Sequence, residues 1–137
     1  MISAGIIGGS GYTGGELIRL LLHHPEAELA FVYSTTRAGK PLSSAHPDLL
    51  GVTDLLFTGT ADPGVDVVFL CLGHGNSSEF LKQHTFSDRT RVIDLSNDFR
   101  LKEDAQFGGR EFVYGLPELN REAIREARHI ANPGCFA

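Results

Sequence analysis

The segment "IIGGSGYTGGEL" (6–17) determines how the rest of the chain is interpreted. It joins a short apolar run, "SAGIIG" (3–8), to "GGELIRLLLHHP" (14–25). The apolar run ends in glycines and predicts a buried strand. The leucines of the second stretch recur at helical spacing, and Pro25 ends the pattern. The segment therefore predicts a strand, a glycine-rich turn and a helix in direct succession.

The glycines of this turn follow the spacing of a dinucleotide-binding loop. Gly9, Gly11 and Gly14 form a G-x-G-x-x-G pattern, with Gly8 ahead of it. In such loops the first glycine permits a tight turn, the second lets the backbone approach a pyrophosphate, and the third lets helix and strand pack closely. Free N–H groups at the helix start then face the anion. The alternative is a structural glycine turn that binds no ligand.

Strand and helix patterns alternate along the rest of the chain. Further strands are predicted at 27–34, 54–59, 65–73, 91–96 and 128–132, and further helices at 76–84 and 117–127. Asn76 or Ser77 is the expected cap of the second helix, and Asn120 that of the third. The alternation predicts an α/β fold, a Rossmann-type doubly wound, mostly parallel sheet. We expect residues 1–137 to form one such domain.

Composition restricts the setting and the partners. The 137 residues carry a net charge of -5, which argues against a nucleic-acid-binding surface. Two cysteines do not make a disulfide scaffold, so we expect a reducing, cytoplasmic location. No signal peptide or membrane-spanning run is recognisable, and no metal site is predicted.

The end of the second predicted strand indicates which dinucleotide is preferred. NAD sites usually carry a carboxylate there to hold the ribose 2′-hydroxyl. The sequence "YSTTRAGK" (33–40) contains no acidic residue, whereas Arg37 can hold a 2′-phosphate with two parallel hydrogen bonds. This favours NADP as the cofactor. The alternative is a solvated basic loop.

The two cysteines stand in different surroundings. Cys71 lies between Leu70 and Leu72 inside an apolar run, which is typical of an inert core residue. Cys135 follows an Asn-Pro-Gly sequence that can begin a helix. A helix start stabilises a thiolate, so Cys135 is the candidate nucleophile. A thiol beside a nicotinamide is suited to reducing an acyl group through a thioester.

Four motifs together resemble one enzyme family. "GGSGYTGGELIRLLLHHP", "VIDLSNDFRLK", "YGLPELNRE" and "ANPGCFA" are similar to the corresponding segments of the N-acetyl-gamma-glutamyl-phosphate reductases, NADPH-dependent enzymes of arginine biosynthesis. The aspartate-semialdehyde dehydrogenases share the architecture but have a different cysteine motif. The resemblance runs from the first strand to the last residue.

The resemblance implies roles for particular residues. Cys135 corresponds to the nucleophile, and Arg100 to an arginine that contacts the anionic substrate. His74 and Gly75 match a loop near the nicotinamide. The cofactor residues implied elsewhere are Gly8, Ser10, Gly11, Tyr12, Thr13 and Gly14 at the pyrophosphate, and Ser34 and Arg37 at the 2′-phosphate. His74 is otherwise a capping or solvated residue, and Arg100 a surface ion-pair partner.

The resemblance also implies a reaction and further protein. The family reduces an acyl phosphate to a semialdehyde, releases phosphate, and is expected to form a homodimer or homotetramer. Its histidine general acid/base and its second α+β domain follow the part matched here, so we expect this chain alone to be inactive. Two alternatives remain open. One is a longer substrate, an N-acetyl-aminoadipyl phosphate of lysine biosynthesis, and the other is a non-catalytic NADP-binding module.

Overall fold

A computed structural model describes residues 1–137. Eight strands and three α-helices alternate with short 3₁₀ turns. The strands are β1 (Ile2–Ile7), β2 (Ala27–Tyr33), β3 (Phe57–Thr58), β4 (Val67–Leu70), β5 (Arg91–Asp94), β6 (Gln106–Phe107), β7 (Arg110–Tyr114) and β8 (His129–Ala131). The helices are α1 (Tyr12–Leu22), α2 (Asn76–Gln83) and α3 (Pro117–Glu126).

All eight strands belong to one sheet of order β3-β2-β1-β4-β5-β8-β7-β6. Only the β6–β7 pair is antiparallel. From β1 the chain adds β2 and β3 towards one edge of the sheet, and from β4 it adds β5 towards the opposite edge. Right-handed crossovers therefore place α1 and α2 on opposite faces. The predicted doubly wound, mostly parallel sheet is confirmed, and the second α+β domain implied by the resemblance is not among these residues.

The core consists of two apolar layers, one on each face of the sheet. Neighbouring residues of β1 point to opposite faces, so Ile6 packs with Ile18 of α1, and Ile7 packs with Phe80 of α2. Both faces of the central strands are covered, which explains why residues 4–7 of β1 and all of β4 are apolar. Because α1 follows β1 and α2 follows β4, both helices begin at the carboxyl edge of the sheet.

Several local predictions need correction. Residues 106–114 form a β-hairpin that the sequence reading left without structure, and Gly108 and Gly109 at its turn both have positive φ. A Gly-Gly pair between two strands is a recognised signal for a two-residue hairpin turn. The third helix begins at Pro117 and is kinked at Asn120, so Asn120 is not its first cap. The second begins at Asn76 with Gly75 as its cap residue.

No helix has the length and apolar character needed to cross a membrane. The longest, α1, has 11 residues. A bilayer-spanning helix needs about 20.

Candidate functional site

The glycine turn lies where the strand order reverses. β1 pairs with both β2 and β4, and the chain leaves β1 and β4 in opposite directions. In open α/β sheets ligands bind beside the carboxyl ends of the strands at this point. The turn after β1 and the loop after β4 are neighbours there, since a Cβ added at Gly8 would lie 2.6 Å from the carbonyl oxygen of Cys71.

The start of α1 is open to an external anion. Gly11 is its cap residue and no side chain donates to or accepts from this end. The N–H groups of Tyr12, Thr13 and Gly14 have no hydrogen-bond partner, and the first turn contains no acidic residue. Tyr12 is 97% exposed. Free N–H groups and the positive end of the helix dipole together suit a phosphate.

The structure assigns the tight turn to Gly8, whereas the sequence pattern predicted it at Gly9. The tight turn is made at Gly8, whose φ is +82°, whereas Gly9 has ordinary φ and leaves room for the side chain of Val32. A Cβ at Gly14 would lie 2.6 Å from Cα of Gly9, so helix and turn pack backbone to backbone. A Cβ at Gly11 would meet no atom within 4 Å. The backbone at Gly11 is thus accessible to a ligand.

A loop that sequence reasoning passed over lies against this turn. His46, 6% exposed, places Nε2 2.7 Å from the carbonyl oxygen of Gly9. Two residues later Asp48 accepts two hydrogen bonds from Arg19 of α1, at 2.7 and 2.9 Å. Arg19 holds the pKa of Asp48 below its ordinary value, chiefly through this hydrogen bond. The sequence contained no motif at "AHPDL" that could have indicated these contacts.

The loop after β2 carries the candidate 2′-phosphate residues. Ser34 is buried at the end of the strand, with its Oγ 3.4 Å from Oγ1 of Thr36. Arg37 is half-buried and donates to the carbonyl oxygen of Ser44 at 3.0 Å. No carboxylate pairs with Arg37, so its remaining guanidinium donors can serve an anion. A role for these residues in cofactor binding stays a prediction.

The start of α2 is closed by the protein itself. Asp98 accepts hydrogen bonds from the N–H of Gly75 at 2.7 Å and of Ser78 at 3.0 Å. The adjacent Asn97 N–H donates to Nδ1 of His74 at 3.0 Å. That nitrogen therefore carries no proton, and the proton of the neutral ring is on Nε2. His74 is exposed and joined to the loop after β5.

The buried carboxylate of Asp94 is hydrogen-bonded to the residues that close the start of α2. Asp94 at the end of β5 is fully buried and accepts from Ser77 Oγ at 2.5 Å and from Ser96 Oγ at 2.6 Å. Ser96 Oγ also accepts the N–H of Asp98 at 3.2 Å. The hydrogen bonds thus run from the sheet through Ser96 to the cap of α2.

Cys135 lies in an open cleft of about 830 Å³ at the same sheet edge. Thr13, His74, Arg100 and Tyr114 line it with Cys135. The structure thus brings residues of three predicted groups together: the glycine turn, the loop after β4 and the cysteine segment. Residues 134–137 make a turn that is closed by the Ala137 N–H donating to the Gly134 carbonyl oxygen at 3.2 Å, and a helix start at Cys135 stays a prediction.

Arg100 joins the cysteine segment to the sheet. Its Nε donates to the carbonyl oxygen of Asn132 at 2.9 Å, and its Nη2 to that of Leu95 at 3.1 Å. Arg100 forms no ion pair with a carboxylate in this structure, and its role in substrate binding stays a prediction. Nη1 has no hydrogen-bond partner and lies close to Gly134. Arg100 therefore has a free donor in the cleft that contains Cys135.

Cys71 does not line the cleft that contains Cys135. It packs against the apolar layer that includes α1. Burial, and secondly the charge of Asp94, raise the pKa of its thiol to about 12. A thiol that is protonated at neutral pH is a poor nucleophile. Cys135, in contrast, is exposed.

Comparisons with known proteins agree with this geometry. The family model described as "Semialdehyde dehydrogenase, NAD binding domain" matches residues 3–127. The chain is 61% identical over 137 residues to the N-acetyl-gamma-glutamyl-phosphate reductase of Flavobacterium johnsoniae, and 60% identical to that of Christiangramia forsetii. All of this chain is covered, but only 42% and 41% of those proteins.

A solved structure has the same fold. Aspartate semialdehyde dehydrogenase with NADP from Candida albicans superposes with a TM-score of 0.67 and 18% sequence identity, covering 99% of this chain and 43% of that one. At this identity the likeness concerns the fold alone. The family match and the identity to the two reductases concern the sequence itself. The chain belongs to the semialdehyde dehydrogenase family, as its NAD-binding domain.

Proposed function

We propose that residues 1–137 bind NADPH and provide the nucleophile of an N-acetyl-gamma-glutamyl-phosphate reductase. The observation that carries the proposal is the shared cleft of Thr13, His74, Arg100 and Cys135 beside the open start of α1. The names of relatives at 60–61% identity support the reaction. The chain spans about 42% of their length, so the activity belongs to a larger protein.

The residues present fit a dinucleotide with a 2′-phosphate. The unpartnered N–H groups of Tyr12, Thr13 and Gly14 suit the pyrophosphate, and the space at Gly11 permits its close approach. Arg37, free of carboxylates, suits the 2′-phosphate, with Ser34 beside it. We assign the nicotinamide end to His74, whose Nε2–H is free to donate, and to the exposed backbone at Gly75.

The reaction begins at sulfur. The Cys135 thiolate attacks the carbonyl carbon of the acyl phosphate, a C–S bond forms, and phosphate leaves with the electron pair of the broken C–O bond. The free Nη1 of Arg100 stabilises the anionic substrate in the cleft. When bound, the nicotinamide supplies the hydride that reduces the acyl group to the aldehyde level. The semialdehyde is released as the C–S bond breaks and the thiolate is restored.

The setting follows from the same chemistry. Both cysteines are free, which supports a reducing cytoplasmic location. The partner is a small acyl phosphate, and neither nucleic acid nor membrane is a proposed partner. We infer that the complete enzyme is a homodimer or homotetramer.

A chimeric enzyme tests the proposal. This chain replaces the matching 42% of the Flavobacterium johnsoniae reductase, and phosphate-dependent oxidation of N-acetylglutamate 5-semialdehyde is followed through NADPH absorbance. We expect turnover in the chimera and none in the 137-residue chain alone. Cys135→Ser should lower kcat at least about 10³-fold and leave NADPH binding intact. Cys71→Ala is the matched thiol control and should retain activity.

The same assay separates the alternatives. Binding of NADPH without turnover in the chimera would favour the non-catalytic module. A higher kcat/KM for the one-carbon-longer aminoadipate semialdehyde would favour the lysine-pathway substrate. Arg37→Asp should shift the NADPH/NADH ratio of kcat/KM by about 10- to 100-fold towards NADH. Arg121→Asp on the exposed face of α3 is the charge-matched control.

A further inference from the structure

His46 is a buried polar residue for which the proposed reaction has no use. Its ring lies in the loop that follows β2, 37 residues from the glycine turn along the chain, and only 6% of its surface is exposed. Nε2 is 2.7 Å from the carbonyl oxygen of Gly9. Because a carbonyl oxygen only accepts hydrogen bonds, Nε2 carries the proton and donates it.

This hydrogen bond fixes the orientation of one peptide unit. The Gly9 carbonyl and the Ser10 N–H belong to the same planar peptide group, and the chain has no cis peptide bond. In a trans peptide the N–H points opposite to the C=O. Holding the Gly9 oxygen towards His46 therefore directs the Ser10 N–H away from His46. Ser10 is exposed and its N–H has no partner within the protein.

The surroundings keep His46 in place. Asp48, two residues later, is joined to Arg19 of α1 by two hydrogen bonds. Gly15 leaves the space that the ring occupies, since a Cβ there would lie 2.6 Å from Cε1 of His46 and 2.8 Å from Nδ1. Gly15 lies outside the G-x-G-x-x-G pattern, so the need for a glycine at this position comes from His46.

We infer that His46 is a positioning residue that orients the Gly9–Ser10 peptide so that the Ser10 N–H donates to the pyrophosphate of the bound dinucleotide. The inference rests on the proposed NADPH binding and adds a residue to it. His46 contacts neither substrate nor cofactor and acts through the peptide alone.

The experiment compares a ligand with a pyrophosphate and one without. NADPH and adenosine 2′-monophosphate are titrated by calorimetry into the 137-residue chain. His46→Leu removes the donor, whereas the amide nitrogen of His46→Gln can replace Nε2. We expect His46→Leu to weaken NADPH about tenfold, the loss of roughly one hydrogen bond, and to leave adenosine 2′-monophosphate unchanged. His46→Gln should restore most of the NADPH affinity.

Gly15→Ala provides a second route to the same defect. Alanine favours a helix interior by about 1 kcal/mol over glycine, so helix propensity alone predicts a more stable chain with normal binding. If His46 acts as inferred, Gly15→Ala displaces the ring and weakens NADPH by a similar factor. The double variant should then be no weaker than either single one. His129→Leu, at an equally buried histidine in β8, is the control and should leave both affinities unchanged.

The outcomes separate the inference from the proposed function. If the unsubstituted chain does not bind NADPH, both the proposed function and the inference on His46 are wrong. Normal binding by that chain, with equal weakening of both ligands in His46→Leu, assigns His46 a general structural role and overturns the inference. Normal NADPH affinity in both Gly15→Ala and His46→Leu would also overturn the inference.

Discussion

The starts of α1 and α2 lie beside adjacent strands, yet one is open and the other is closed. At α1 the N–H groups of Tyr12 and Thr13 have no partner. At α2 the carboxylate of Asp98 accepts from Gly75 and Ser78, so the protein supplies its own anion. Two helices at one sheet edge have the same dipole orientation. Whether an external anion can bind is therefore decided by which start already has a carboxylate.

The largest effect is expected where the open start depends on close packing. Gly14→Ala brings a Cβ to 2.6 Å from Cα of Gly9 and 2.9 Å from the oxygen of Gly8, so backbone must move. We expect a loss of roughly 1–3 kcal/mol in the free energy of unfolding, together with loss of NADPH binding. Urea denaturation and NADPH titration measure both. Gly11→Ala meets no atom within 4 Å and should change stability by less than about 0.5 kcal/mol.

The buried support of the closed start should give the next largest effect. Ser77→Ala removes the hydroxyl that donates to Asp94 at 2.5 Å and leaves that buried carboxylate with one partner fewer. The expected loss is about 2 kcal/mol in chemical denaturation. Ser78→Ala is the control, because the Ser78 hydroxyl donates only to the Gly75 carbonyl, at 3.3 Å. Equal losses in the two variants would contradict the role given to Asp94.

The buried thiol of Cys71 makes the free energy of unfolding of the chain depend on pH. Its folded pKa is raised from 9.0 to about 12, so the folded chain holds the proton more tightly than the unfolded chain. This contribution is fully present below pH 9 and is lost as pH rises towards 12. At pH 10.5 the loss relative to pH 8 should be about 2 kcal/mol. In urea unfolding at both pH values, Cys71→Ala should not show this loss. A pH dependence equal to that of the unsubstituted chain would contradict the role given to Cys71.

Removing the internal anion should have the smallest effect. Asp98→Ala withdraws the acceptor from Gly75 and Ser78 at a half-buried site, and we expect a cost of about 1 kcal/mol. Glu79→Ala, which breaks only an exposed pair with Lys82, should cost less than about 0.5 kcal/mol. We also expect Asp98→Ala to let the start of α2 bind pyrophosphate, measured as a pyrophosphate-dependent rise in Tm that Glu79→Ala lacks.

Elements formed by apolar runs were predictable, and the hairpin was not foreseen. Residues 4–7 of β1 and all of β4 are apolar because both faces of these strands are covered, so the sequence identifies them without tertiary information. The β6–β7 hairpin is short, and its signal is the pair Gly108–Gly109 rather than an apolar run.

Local sequence was enough to predict the alternation of strands and helices, the glycine turn and the positions of the candidate site residues along the chain. These depend on local spacing and on the periodicity of apolar residues. It also separated the two cysteines, because an apolar run and an Asn-Pro-Gly turn are local features.

Which of these residues come into contact depends on the three-dimensional fold. His46 reaches Gly9 across 37 residues and Asp98 reaches Gly75 across 23. Cys135 shares its cleft with Thr13 because β1 and β8 end at the same edge of a parallel sheet. Hydrogen bonds and clefts of this kind depend on distances in space, which sheet order sets and which spacing along the chain does not encode.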